Sequence, residues 1–325
     1  MEFFKRALLS TAILAAAVMS FSPASAMAQQ TLRVAYLRTF AMMPFFYAEK
    51  MGYFKREGLD IQGITLNNGP AAISAVVSGS ADIAESANVP VILAIVHNQP
   101  IRLFLSENYE QYPKPVFVYL VATQRSGVTT LAGLKGKTVA INAATSDCEL
   151  ILSDHLQTVG LTEKSVKLIT IPFPQMPAAL DLGEADAACL VEPFMTSVMQ
   201  SPKDKATVLA AGSLANLKEL GHAVLDGYYG RQDWLAKNKK TAAAFMRVIA
   251  ASVHELAANP QLYHKLLVEE FKVPEALAKA MPVDLNPVDF VVRPADYQAV
   301  IDGLVRTKLL AKPIKAEDVI YPIKP

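Results

Sequence analysis

Along this chain, short apolar blocks alternate with breaks marked by Gly, Pro, Asn and Ser, and the blocks switch between a strand period and a helix period. Residues 32–36 (LRVAY) alternate and predict a first strand. Its exit loop, Leu37-Arg38-Thr39-Phe40, leads into a helix over 44–51 that Gly52 ends. A second strand is expected over 59–66. The stretch that follows, 67–90 (NNGPAAISAVVSGSADIAESANVP), organises its surroundings. Asn67-Asn68-Gly69-Pro70 breaks the strand, and Pro70 suits a first helical turn, where its missing N–H would have had no partner. A helix of small residues follows, Ser78-Gly79-Ser80 stops it, and 81–84 supplies a brief buried strand. A helix over 89–97, a strand over 101–106 and an extended apolar run over 116–122 come next.

The same order then returns. Residues 127–137 open a new cycle with a strand at 138–142, a polar loop at 143–147 and a helix over 149–159 that ends at Gly160. A strand at 166–171, a loop, a helix at 178–182 and a strand at 185–191 complete it. Residues 206–210 add a strand, 223–229 form an extended segment able to cross back, and the pattern from Trp234 onward is helical. Strand, polar loop and helix in repeated order predict mainly parallel α/β sheets, in two halves of roughly 100 residues. Two such lobes, with the chain passing between them twice, make a clamp around a cleft that can close on a small ligand. The expected division is a signal peptide at 1–28, lobe I from 29–119 with 227–325, and lobe II from 120–226.

The N-terminus differs in kind. Lys5-Arg6 precede an apolar run over 7–21, and both Ala24-Ser25-Ala26 and Ala26-Met27-Ala28 fit a small-x-small cleavage site, so a secretory signal peptide is expected, with a periplasmic mature protein. Its removal takes out Glu2, Lys5 and Arg6 and lowers the net charge of +1 to zero. Near-neutral charge without a basic run excludes nucleic acid as the expected partner. A hydrophobic content of 52% in 325 residues suffices for a large buried core, and a monomer is expected. Cys148 and Cys189 lack metal spacing. Export would permit a disulfide, but two buried thiols are the reading preferred here. The five histidines are scattered, with no catalytic constellation and no metal or cofactor implied.

Several pieces resemble a known family: YLRTFAMMPFFYAEKMGYFKREGLDI, the 67–103 stretch, TTLAGLKGKTVAIN, VGL before VKLITIPF, and ALDLGEADAACLVEPF. GYFKREGLDI, SGSADIA, LKGKTVA and DAACLVEPF in this order are similar to the periplasmic substrate-binding proteins of ABC importers, in the nitrate/taurine/sulfonate group with its thiamine-precursor-binding relatives. The resemblance covers most of residues 32–196. It implies a two-lobed type II binding-protein fold, each lobe a mainly parallel sheet flanked by helices, with a helical C-terminal tail. It also implies a ligand held between the lobes and delivery to a permease in the inner membrane. One relative in the family is a cytosolic pyrimidine-forming enzyme with a cysteine-rich motif, which two cysteines and a signal peptide do not match.

Candidate ligand contacts sit in the loops after strands, where open α/β sheets bind ligands. In the first lobe they are Arg38, Thr39, Phe40, Asn68, Gly69, Ala71, Ser86 and Asn88; in the second, Asn142, Thr145, Ser146, Gln175 and Glu192. Arg38 can pair with a carboxylate or sulfonate; as a solvated loop charge it needs no ligand. Thr145 or Ser146 can cap the following helix, Asp147 complements that helix's dipole, and Glu192 has structural roles across Pro193. Two helix starts plus Arg38 make an organic anion the first expectation for the ligand. A pyrimidine or amine, recruiting Glu192, Asp147 and the aromatics Phe40, Phe173 and Phe194, is the rival. A periplasmic enzyme or sensor subunit is the alternative function.

Overall fold

The computed structural model describes residues 30–325 apart from 115, 282, 284 and 286–290, so the expected signal segment lies outside the described residues. The strands are β1 (Gln30–Leu37), β2 (Leu59–Leu66), β3 (Ile83–Ala87), β4 (Ile101–Ser106), β5 (Tyr109–Gln111), β6 (Val118–Thr123), β7 (Thr138–Ile141), β8 (Lys167–Thr170), β9 (Ala187–Val191), β10 (Ala206–Ala211), β11 (His222–Val224) and β12 (Asp226–Arg231). They form two five-stranded sheets, ordered β2-β1-β3-β12-β4 and β10-β6-β9-β7-β8, and a two-stranded ribbon of β5 and β11.

Both large sheets follow one plan. Within each, the first two strands of the cycle pair in parallel, the third lies on the first, and an antiparallel strand is inserted beside the third. In the first sheet the inserted strand is β12, which returns after the second sheet is built; in the second it is β6, which arrives before β7. Each sheet is thus completed by a strand from the far side of a chain crossing. The crossings are pinned together by Glu110, whose carboxylate accepts the amides of Phe117 (2.8 Å) and Ser213 (2.6 Å).

Period-two alternation explains the layers. On β1, Leu32, Val34 and Tyr36 enter one apolar cluster with Phe45, Phe54 and the C-terminal helix Lys239–Ala258, while Ala35 enters another on the opposite face. Phe54 stacks on Phe245 at 5.4 Å to close the first layer. The helix Pro294–Arg306 covers the second face and reaches across to the helix Asp147–Gln157, where Arg306 holds the buried Asp154 through two bonds of 2.7 and 2.9 Å. A third cluster surrounds the second sheet.

One expectation is corrected. Cys148 and Cys189 are joined by a disulfide, not left as separate thiols. The helix Asp147–Gln157 packs on β9, which brings the two Cα atoms to 5.7 Å although 41 residues separate them in sequence. The ribbon of β5 and β11 was also not anticipated.

Candidate functional site

The carboxyl ends of the two sheets face each other across a cavity that leaves about 70 Å³ open to the centre of a water-sized sphere. From the first sheet's side come Leu37, Thr39, Phe40, Ala41, Gly69, Glu85, Ser86, Ala87, Pro90 and Asp226; from the second, Val118, Asn142, Ser146, Asp147, Cys148, Ile151, Phe173 and Val191, with Leu225 at the crossing. Six residues expected from sequence are therefore brought together here: Thr39, Phe40, Gly69, Ser86, Asn142 and Ser146.

Local chemistry explains how they are positioned. Asn68 is the N-cap of the helix Gly69–Val77, its side chain accepting from the Ala71 amide at 2.9 Å. Gly69 is needed for close approach: a Cβ there would stand 2.8 Å from Ser86 Oγ and 2.9 Å from Pro90 Cγ. β3 lies between β1 and β12, so Ile83, Ala84, Glu85 and Ser86 are all buried, and Glu85 and Ser86, at its carboxyl end, line the cavity. Phe40 stacks on Phe117 at 4.9 Å and Phe173 on Phe194 at 6.0 Å, which holds one aromatic wall on each side.

The other seven expected contacts do not line the cavity. Arg38 is turned out over the rings of Phe46 and Phe271 (4.6 and 5.4 Å), donates to the Glu270 carbonyl and pairs with its carboxylate at 3.9 Å. Asn68 and Ala71 satisfy each other. Asn88 is fully buried and donates to the Val224 carbonyl at 3.0 Å. Thr145 bonds the Ala144 carbonyl at 2.6 Å, and Gln175 is exposed. Glu192 accepts from the Thr196 amide (3.0 Å) and hydroxyl (2.7 Å), capping the helix Phe194–Met199.

What sequence reasoning missed is the acidity of the lining. Glu85, Asp147 and Asp226 contribute carboxyls, and no Lys, Arg or His lines the cavity. Asp147 reaches across the cleft to accept the Val89 amide at 3.1 Å, a bond between the two sides. Asp226 Oδ1 accepts the Asn108 amide (3.1 Å) and side chain (2.8 Å). Glu85 accepts no hydrogen bond from the described residues. Behind this group, Glu107 is buried with neither oxygen partnered. Burial raises all four carboxyls, Asp226 to about 7; repulsion from Asp226 adds to the rise at Glu85, Glu107 and Asp147, and repulsion from Glu110 adds to it at Asp226. The available signal was an acid inside an otherwise buried strand, IAESA, and another beginning the returning segment DGYYG.

Comparison with known proteins agrees with the fold. The chain is 23% identical over 290 residues to a putative aliphatic sulfonates-binding protein of Bacillus subtilis, covering 86% of this chain and 83% of that one. It is 22% identical over 231 residues to the 4-amino-5-hydroxymethyl-2-methylpyrimidine phosphate synthase of Schizosaccharomyces pombe, spanning 69% of this chain and 64% of the enzyme. Among solved structures, the alkanesulfonate-binding protein SsuA of Xanthomonas axonopodis pv. citri, bound to MOPS, superimposes with a TM-score of 0.76 at 19% identity, over 90% of this chain and 98% of that one. These relatives are binding proteins in two cases and an enzyme in the third, and the structural likeness is one of periplasmic binding-protein fold. The family model described as NMT1/THI5 like matches residues 39–262, and the chain belongs to that family.

Proposed function

We propose that this is an exported, non-enzymatic solute-binding protein that captures a small molecule between two lobes and passes it to the permease of an ABC importer. The lobe boundaries we assign lie near residues 119 and 226. The observation that carries the reading is the cavity itself, placed at the carboxyl ends of two like-built sheets, lined from both and spanned by the Asp147–Val89 bond. Such a layout couples ligand contact to closure, because a ligand that touches both walls favours the closed form. The sulfonate-binding relatives support capture and delivery as the role.

The first expectation for the ligand, an organic anion, loses its physical support. Arg38 faces Glu270 and two rings, not the cavity. One helix start is capped by the Asn68 side chain, and the other carries the acidic Asp147 in its own first turn, whose ionised form offsets the dipole there. The polar lining favours the rival class of amines and pyrimidines.

A thermal-shift screen tests the role, using a library of amines, aminopyrimidines, sulfonates, carboxylates and nitrate. A true ligand at a hundred times its Kd adds about 2.7 kcal/mol of stability and raises Tm accordingly. Small-angle scattering should show compaction with the same compound. A library without a single stabilising compound, or a hit that is turned over chemically, refutes the reading.

A further inference from the structure

We propose that the cavity is built for an organic cation bearing N–H donors, of the ammonium, amidinium or protonated amino-heterocycle class, with Glu85 as its anchoring carboxylate. This rests on the solute-binding reading above and deepens it by fixing the sign of the ligand's charge.

Glu85 is 3% exposed, lines the cavity and accepts no hydrogen bond from the described residues. A carboxylate so placed opens only onto the cavity, and a donor that enters the cavity is what can compensate its lost bulk hydration. On the opposite wall Asn142 Oδ1 is buried and also without a partner. With Glu85 ionised, both walls thus present an acceptor without a partner. Three of the amides near the cavity are engaged within the protein: Ala71 with Asn68, Val89 with Asp147, and the Asn108 donors with Asp226. A ligand that completes this site brings N–H groups, and one that relieves three carboxyls brings positive charge. No group of three or more His, Cys, Asp or Glu among the described residues is arranged to hold a metal ion, which points to an organic cation. Phe40 and Phe173 offer ring surfaces on which a delocalised cation rests favourably.

Two matched series vary charge at nearly constant shape: benzamidine, benzamide and benzoate, and the smaller acetamidine, acetamide and acetate. Calorimetry on the full mature chain at pH 6 and pH 8 should find an amidine binding at least about tenfold tighter than its amide, a gap of ~1.4 kcal/mol. The carboxylate should not bind. Amidine affinity should rise with pH, because the cation competes with the protons held by Glu85 and its neighbours Asp147, Asp226 and Glu107. Glu85→Gln should erase the preference. Asp226→Asn, which retains an Oδ1 acceptor for Asn108, should reduce it severalfold and covers the case in which Glu85→Gln does not fold.

A carboxylate binding as tightly as its amidine, affinity falling as pH rises, or a preference untouched by both variants overturns the inference and leaves the solute-binding reading standing. If none of the six compounds binds, the library decides: a cationic hit lost in Glu85→Gln supports the inference, and a neutral or anionic hit overturns it. A library without any hit removes both readings together.

Discussion

Replacing Asp226 with Asn should stabilise the ligand-free protein at alkaline pH and do nothing at acid pH. Asp226 is 3% exposed, and burial raises its carboxyl to about 7 against the hydrogen bonds from Asn108, which oppose the rise. From an ordinary aspartate value near 3.9 the shift is roughly three units, or ~4 kcal/mol of differential interaction between the two protonation states. The folded chain therefore holds this proton more tightly than the unfolded chain does. The associated stability is fully present below about pH 4, falls as pH rises through the window up to about 7, and is gone above it. Asn resembles the protonated acid and keeps an oxygen for the two Asn108 donors. The variant should match the wild type at pH 4 and exceed it by up to ~4 kcal/mol at pH 8. Urea unfolding at several pH values, extrapolated linearly to water, measures the difference. Glu85, Glu107 and Asp147 are raised partly by the Asp226 charge, so the difference between the two curves reports Asp226 together with its repulsion on these neighbours. A variant less stable than the wild type at pH 8, or a difference independent of pH, would refute the reasoning.

Two further outcomes follow from the same geometry. The Cys148–Cys189 bond closes a loop of 41 residues, so the double variant Cys148→Ala with Cys189→Ala should lose roughly 4 kcal/mol by the chain-entropy relation. Denaturation of the wild type with and without reductant should give a matching loss, and Cys148 lies on the cavity wall, so ligand affinity should weaken as well. Arg38→Ala should leave ligand affinity unchanged while costing about 1 kcal/mol of stability, since the guanidinium packs over Phe46 and Phe271 outside the cleft. Calorimetry with the screened ligand separates the two effects; a loss of affinity without loss of stability contradicts the placement.

Much of the architecture was legible because it is periodic. β2 and β4 fall where alternation placed them, and the repeated strand–loop–helix order foretold two sheets of one plan. Pairing between distant segments was not legible. β5 and β11 are three-residue strands more than 100 positions apart, and nothing local in either marks the partner. The disulfide was missed for the same reason. Within the site, Gly69, Ser86, Asn142 and Ser146 could be found because residues at the carboxyl ends of strands must face the cleft. Arg38 was misread because a loop charge does not declare its direction; the rings and carboxylate that hold it come from the helices Met43–Lys50 and Pro260–Phe271. Glu85 was passed over as one of several polar residues ending a strand, when its burial between β1 and β12 is what makes it costly.

That cost bears on how one fold can hold ligands of opposite charge. The helices Gly69–Val77, Asn88–Val96 and Asp147–Gln157 all begin at this cavity, and each start carries about half a positive charge. With the acids protonated, those ends dominate and the cleft is mildly positive. With Glu85, Asp147 and Asp226 ionised, three negative charges exceed the three half-charges, and the field reverses. The backbone thus supplies the same positive bias that serves an anion, while side chains at three positions decide whether it survives. A cationic ligand lowers the cost of ionising these acids by pairing with them, so capture and deprotonation proceed together. A ligand site of this kind binds a cation more tightly as pH rises through the range in which these acids ionise.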